Sequence, residues 1–544
     1  MDSIEVVLAM LLAVVASGYL VRALPVSLPL PLVQIALGAV ISGVFKQGVM
    51  LDPHIFFLLF LPPLLFLDGW RIPKDGLFRD KATILELALG LVIFTVLGIG
   101  LLVHWMIPSM PLPVAFALAA IVSPTDPVAV SSIAARVPIP KRLMHILEGE
   151  SLLNDASGLV CFRFAVAAML TGGFSLAGAS LTFLWVACAG LGIGAGITAA
   201  ISFAQRWLSR HFGEDAGSPI LISLLTPFAA YMTAELVHAS GILAAVAAGI
   251  TMSYVELSGR ALATTRLQRA AVWDTVQFTL NGIMFVLLGE QLPGILRGAM
   301  HTVEQGEHLG PWWLAGYGLA ISIGLIVLRF LWVWASLRLT LFRRGASVEQ
   351  PLKLHWRLVL ATSLAGVRGA ITLAGVMSLP LLLPDGTAFP ARDLAIFLAT
   401  AVILVTMVTA SIGLPRLLRG LELPEETTEL QEEDLARQHA ASAAIAAVEK
   451  SRQGVQHDTA ESDIHAQAAA RVTALYQRRL SGSAGGEREA GQLRKADQAE
   501  RALRLAGLEA EREAIFHLAR QSRISDATSR KLVREIDLIE SRYH

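Results

Sequence analysis

The chain has 544 residues, 54% of them hydrophobic and only 16% charged, with 44 basic side chains balanced by 44 acidic ones. Such apolarity lies outside the range of soluble globular domains and points to a polytopic membrane protein whose main partner is the lipid bilayer. A net charge of zero offers no field for polyanions, which argues against a nucleic-acid partner.

Apolar runs of the length that crosses a hydrocarbon core predict thirteen spans, near 4–21, 28–44, 54–70, 82–107, 112–135, 143–170, 178–205, 218–236, 240–254, 273–292, 311–342, 355–380 and 391–415. No basic segment and small-residue cleavage site mark the N-terminus as a signal peptide, so the first run reads as a span. Of the charged residues, 40 fall in the last 124 positions. The expected organisation is therefore a membrane domain over 1–420 and a charged, largely helical tail over 421–544. Cys161 and Cys188 lie in apolar segments and read as inert core residues, not as a disulfide or metal pair.

Alternate connections concentrate the basic residues. One set carries Arg22; Arg71, Lys74, Arg79 and Lys81; Arg136, Lys141 and Arg142; Arg206 and Arg210; Arg260, Arg266 and Arg269; and Arg343, Arg344 and Lys353. The other set holds Lys46, Arg297 and Arg392. The positive-inside rule then predicts an external N-terminus and a cytoplasmic C-terminus, with Arg416 and Arg419 just past the last span.

Polar residues at membrane depth mark function. In the third span, "LFLPPLLFLDGW" places Asp68 after a Pro-Pro kink. The fifth contains "FALAAIVSPTDPVAVSSIAA", with Asp126 between Pro124 and Pro127. Each proline removes a backbone donor, so the helix is expected to break around 123–127. A break at that depth is tolerated only beside protein or a water-filled cavity. Thr125, Ser123 and Asp126 supply hard oxygens of the kind that suit an alkali cation. The structural alternative is a proline kink with Asp126 capping the second half-helix.

The sixth span contains "HILEGESLLNDASGLVCF". Ser151 and Asp155 stack on one face, Glu150 and Asn154 on the adjacent one. Asp126 and Asp155 each lie about 20 Å into consecutive antiparallel spans, near the midplane. A carboxyl there holds a proton or a cation, never both, and that competition links two fluxes. Glu150 needs a cationic partner, for which Arg329 in "GLIVLRFLWVW" and Arg368 in "SLAGVRGAITLAGV" are candidates. The glycines around Arg368 suggest a second broken helix. Glu86, Glu235 and Arg163 read as packing or pairing residues; His104, His145 and His238 form no metal-binding spacing.

"SPTDPVAV" followed by "EGESLLNDASG", with "FLPPLLFLDGW" before and "GVRGAI" after, resembles the cation/proton antiporter superfamily, sodium/proton exchanger branch, in a bacterial long-tail form. The likeness covers 1–420. It implies an all-α fold of about thirteen transmembrane helices in two inverted repeats, with interrupted crossing helices at 112–135 and 355–380. By motif, Asp155 would exchange cation for proton with Asn154 beside it; Ser151 and Thr125 would help ligate Na+, and Asp126 and Asp68 would complete the site. Arg329 would pair with Glu150, and Arg368 would balance the half-helix ends.

The resemblance implies a secondary antiporter, not an enzyme and with no cofactor. It would exchange internal Na+, with Li+ or K+ as further candidates, for external H+ by alternating access, as a homodimer in the inner membrane. The "ND" pair implies electroneutral exchange. A K+-selective antiporter and a non-transporting sensor acting through the tail are the competing readings. The tail reads as amphipathic helices around a flexible "SGSAGG", either a solvated appendage or a regulatory or dimer-contacting module.

Overall fold

The computed structural model describes residues 2–23, 28–45, 53–72, 74, 80–126, 130, 141–171, 176–213, 217–257, 263–305, 311–343, 356–419, 427–453, 467–477, 487–521, 523 and 526–540. The chain forms two compact units, Met1–Leu421 and Glu422–His544.

The regular structure of the first unit's described residues is helical, with one isolated β-bridge, Leu382 to Ala388, in the connection 378–391. Its apolar runs fold as α1 (Asp2–Ala23), α2 (Leu30–Phe45), α3 (Pro53–Arg71), α4 (Lys81–Met106), α5 (Leu112–Val122), α6 (Lys141–Thr171) and α7 (Leu176–Phe212). They continue as α8 (Ser218–Leu236), α9 (Gly241–Leu257), α10 (Ala263–Gln305), α11 (Pro311–Arg343), α12 (Trp356–Leu364), α13 (Ala370–Met377) and α14 (Arg392–Leu418). Among the described residues, eight helices are long and apolar enough to cross a membrane, and the runs 30–44, 112–122 and 241–256 are shorter apolar helices.

Each expected span has a helical counterpart, with differences at three places. The fifth stops at Val122, and Ser123–Asp126 are not helical. Residues 127–129 and 131–135, which belong to that expected span, lie outside the described residues. The twelfth is split into α12 and α13 by the non-helical stretch 365–369. The tenth is far longer than its apolar core, because the helix continues over 263–272 before it and 293–305 after it, which brings α10 to 43 residues.

Helix contacts sort into two bundles. In one, α1, α2 and α10 pack together, and α3, α7 and α8 surround α9. In the other, α4, α5 and α6 form a layer joined through α4 to α11 and through α5 to α13 and α14. Fewer contacts bridge them, chiefly α10 with α13 and α14, and α3 with α6 and α13. The first bundle has an aromatic interior, where the fully buried Trp273 stacks on Phe66 at 5.3 Å and donates its Nε1–H to Ser223 at 3.2 Å.

Within α4, residues Glu86–Leu91 form a π-helical turn. The wider turn loosens the backbone ladder, and Ser157 of α6 donates its hydroxyl to the Ala88 carbonyl at 2.5 Å. Glu86 is half-buried at the start of this turn. Glu235 is half-buried too, and accepts from Arg163 at 3.5 Å. Neither acid is the fully buried residue that an apolar context suggests, because each lies on an outer helix face. Cys161 packs against the main core, whereas Cys188 is exposed on α7, so only the first is a core residue.

The second unit contains α15 (Thr427–Gln453), a helical stretch over 467–477, α16 (Glu487–Arg520) and α17 (Asp526–Glu540). Helices α16 and α17 pack together with Leu508 and Ile536 buried, and Arg512 pairs with Asp537 at 3.1 Å and with Glu540. The "SGSAGG" segment, 481–486, lies outside the described residues.

Candidate functional site

A cavity of about 40 Å³ lies between the two bundles. A water needs at least ~10–15 Å³, so the space suits a small cation with a water or two. One wall comes from α3 and α10, through Leu61, Leu65, Asp68, Gln277, Asn281 and Met284. The other comes from the break after α5, from α6 and from the break before α13, through Thr125, Asp126, Ser151, Asp155, Gly369 and Thr372. Five of the six residues expected to bind the ion thus share one cavity. The sixth, Asn154, is buried behind it, as expected of the adjacent helix face.

The two breaks are bonded to each other. The Asp126 N–H donates to the Val367 carbonyl at 2.7 Å. Asp126 packs its carboxylate on Gly369, so closely that a Cβ there would collide with it. Gly369 immediately precedes α13, so the acid sits at that helix's positive end. It reaches the start of the other broken helix; the second half of its own lies outside the described residues apart from Val130. Arg368 performs the opposite service. Its Nε donates to the Val122 carbonyl at 2.8 Å, where α5 ends, and its Nη1 donates to Gly366. A cation on these free carbonyls offsets the negative ends of two half-helices.

Residues of α6 stitch onto the first break. Ser151 donates its hydroxyl to the Thr125 carbonyl at 2.7 Å, and Asn154 donates its amide to the Thr125 hydroxyl at 3.0 Å. The Thr125 carbonyl keeps a second lone pair, and both hydroxyls keep acceptor capacity. Gly158 faces the Pro124 ring, and a Cβ would collide with it, so this glycine lets the break settle on α6. Ser123 lies off the cavity, with its Oγ buried and unpartnered among the described residues.

Glu150 and Arg329 form a bidentate pair, with Nη2 donating to Oε2 at 2.6 Å and Nη1 to Oε1. Both are almost fully buried. Arg329 Nε also donates to the Thr362 carbonyl at 3.0 Å, near the end of α12. Asp155 is as deeply placed but differently furnished: among the described residues its carboxylate takes part in no hydrogen bond or ion pair. It faces the cavity instead.

Sequence reasoning missed Gln277, Asn281 and Thr372. The amides of α10 were visible as "VQFTLNG", two polar residues four apart in an apolar span.

A family model described as sodium/hydrogen exchanger, transmembrane, matches residues 8–420. The chain belongs to the sodium/hydrogen exchanger family. It is similar to the uncharacterized Na+/H+ exchanger YjcE of Escherichia coli K12, with 41% identity over 99% of both chains. It is also similar to a sodium, potassium, lithium and rubidium/H+ antiporter of Bacillus pumilus, with 44% identity over 76% of this chain and 61% of that protein. Among solved structures, the sodium/proton antiporter MjNhaP1 of Methanocaldococcus jannaschii shares the fold, with a TM-score of 0.57 at 16% identity over 77% of this chain and 99% of that one. This exchanger is thus a multi-pass membrane transporter of the cation/proton antiport class, not an enzyme.

Proposed function

We propose that the exchanger trades an alkali cation, Na+ first, for a proton at Asp155. The observation that carries this reading is the unpaired carboxylate of a buried Asp facing a cavity between two bundles that Asp68, Asp126, Thr125 and Ser151 also line. Such a carboxyl binds a proton or a cation in turn. Ser151 and Thr125 offer neutral oxygens to the cation, and Asp126 and Asp68 keep the cavity electronegative. Asn154 holds Thr125 from behind. Glu150 with Arg329 supports the core as a structural pair, and Arg368 stabilises the half-helix ends.

One carboxyl exchanging one monovalent cation for one proton moves no net charge, so exchange is electroneutral. Alternating access follows from movement of the α4–α6 and α11–α14 bundle against the other, with the cavity at the sliding boundary. The protein works as a homodimer in the inner membrane, N-terminus outside and charged tail in the cytoplasm. Residues 1–420 form the transport domain and 421–544 the cytoplasmic tail. A second reading, broad alkali-cation selectivity including K+ and Li+, is favoured by the 44% identity to the relative named for sodium, potassium, lithium and rubidium.

The test is dequenching of a pH dye in everted vesicles on adding Na+, K+ or Li+. Wild type is expected to respond to Na+, and Asp155→Asn to none of the three. A response to K+ alone would replace Na+ as the substrate. Currents that scale with transport in proteoliposomes would end the electroneutral assignment.

A further inference from the structure

The wall opposite Asp155 carries two amides that the exchange chemistry above leaves idle. Asp274, Gln277, Asn281 and Met284 follow one stripe of α10, at helical spacings of three and four. Asp274 is 65% exposed at the outer end of this stripe, and the other three line the cavity. A polar stripe in an apolar span needs a reason.

The two amides differ in their partners. Arg71, at the end of α3, donates Nη1 to Gln277 Oε1 at 2.8 Å while its Nη2 pairs with Asp274. That bond keeps the Gln277 oxygen on Arg71, leaving the amide's N–H groups as its free face. Asn281, one turn deeper, makes no hydrogen bond among the described residues, although it lines the cavity and is half-buried. An amide left open onto a cavity shared with three carboxylates has one natural use for its oxygen.

We infer that Asn281 supplies a neutral oxygen ligand to the transported alkali cation from the bundle opposite Asp155, while Arg71 holds the Gln277 oxygen out of that role. The inference rests on Asp155 being the exchanging carboxyl. A neutral ligand adds no charge, so it leaves the exchange ratio alone. A proton on Asp155 has no need of it, so Asn281 acts on the cation half of the cycle only. Because this ligand sits on the far wall, its distance from Asp155 also sets how well cations of different radius fit.

The experiment uses the full chain in everted vesicles, with dye dequenching titrated separately against Na+, K+ and Li+, and thermal melting of the purified protein with and without Na+. Asn281→Ala is expected to raise the half-saturating Na+ concentration about tenfold, the loss typical of one polar contact to a charged group. It is also expected to alter the ratio between Na+ and K+ and to weaken stabilisation by Na+. Asn281→Ser, which keeps an oxygen on a shorter arm, should fall between it and wild type. If Asn281→Ala does not accumulate as folded protein, Asn281→Ser carries the test alone. Unchanged half-saturation for all three cations overturns the inference, and so does a fall in melting temperature with cation dependence intact. Asp155→Asn runs in parallel. Full exchange in that variant overturns the Asp155 assignment and this inference with it, whereas lost exchange there beside unchanged Asn281→Ala kinetics overturns the inference alone.

Discussion

Two carboxylates five residues apart on α6 live in opposite circumstances. Glu150 is 1% exposed and Asp155 4%, so burial does not distinguish them. Their partners do. Glu150 is locked by a bidentate Arg329 that also holds a carbonyl near the end of α12. Asp155 looks across a cavity to a wall belonging to the other bundle. A buried charge with a dedicated counter-charge is architecture, since removing either partner strands the other. A buried carboxyl that keeps a cavity in place of a partner is free to change its proton for something else.

The largest expected effect tests the second half of that contrast. Asp155→Asn should abolish detectable cation-driven proton movement while the purified protein melts at or above the wild-type temperature, because no ion pair is lost. An equally stable variant with normal exchange would erase the difference between the two acids. Glu150→Ala tests the first half. It should cost about 3–5 kcal/mol of stability, the usual penalty for stranding a buried partner. Pairing it with Arg329→Met should recover much of that loss. Normal melting with weakened Na+ affinity would instead move Glu150 into the ion site.

Smaller effects sharpen how α6 is held between these two roles. Gly158→Ala should destabilise by about 1–3 kcal/mol through overpacking against Pro124. It should also slow exchange, since the displaced break carries Thr125 and Asp126; a thermal melt alongside a transport assay separates the two. Ser157→Ala strips the π turn's Ala88 carbonyl of its hydroxyl partner and should cost about 1–2 kcal/mol in melting. A neutral result there would mean that water or a backbone donor takes over.

Much of this site was legible in the sequence because membrane depth makes polarity and helix breaking conspicuous. Pro124 beside Asp126 announced one break, glycines around Arg368 the other, and the spacing of Ser151 and Asp155 gave their common face. What stayed hidden has no such signature. The π turn at 86–91 has no compositional mark, because any apolar helix can widen by one residue. Asn281 and Gln277 lie over a hundred residues from Asp155 and carry no charge, so periodicity alone could not set them against it. The Arg163 to Glu235 contact joins α6 to α8 and depended on packing, not pattern. The residues alone left Arg329 and Arg368 as candidate partners of Glu150; the family resemblance assigned Arg329, and in the structure Arg329 meets the carboxylate while Arg368 meets the carbonyls.

The bond from Asp126 N–H to the Val367 carbonyl, together with Arg368 on Val122, joins two half-helices into one knot. Parts tied in this way travel as cargo with their carrier. On the proposed alternating-access reading, a stroke that opens the cavity to one side would therefore move Thr125, Asp126, Ser151 and Asp155 as a single piece, and the ion's surroundings would change only where α3 and α10 face it. On that reading, the proposed exchange at Asp155 makes one half constant, fixing how many charges are traded, while the proposed ligand on α10 makes the other half variable, deciding which ion is admitted. Substitutions on α10 would then retune the second without touching the first.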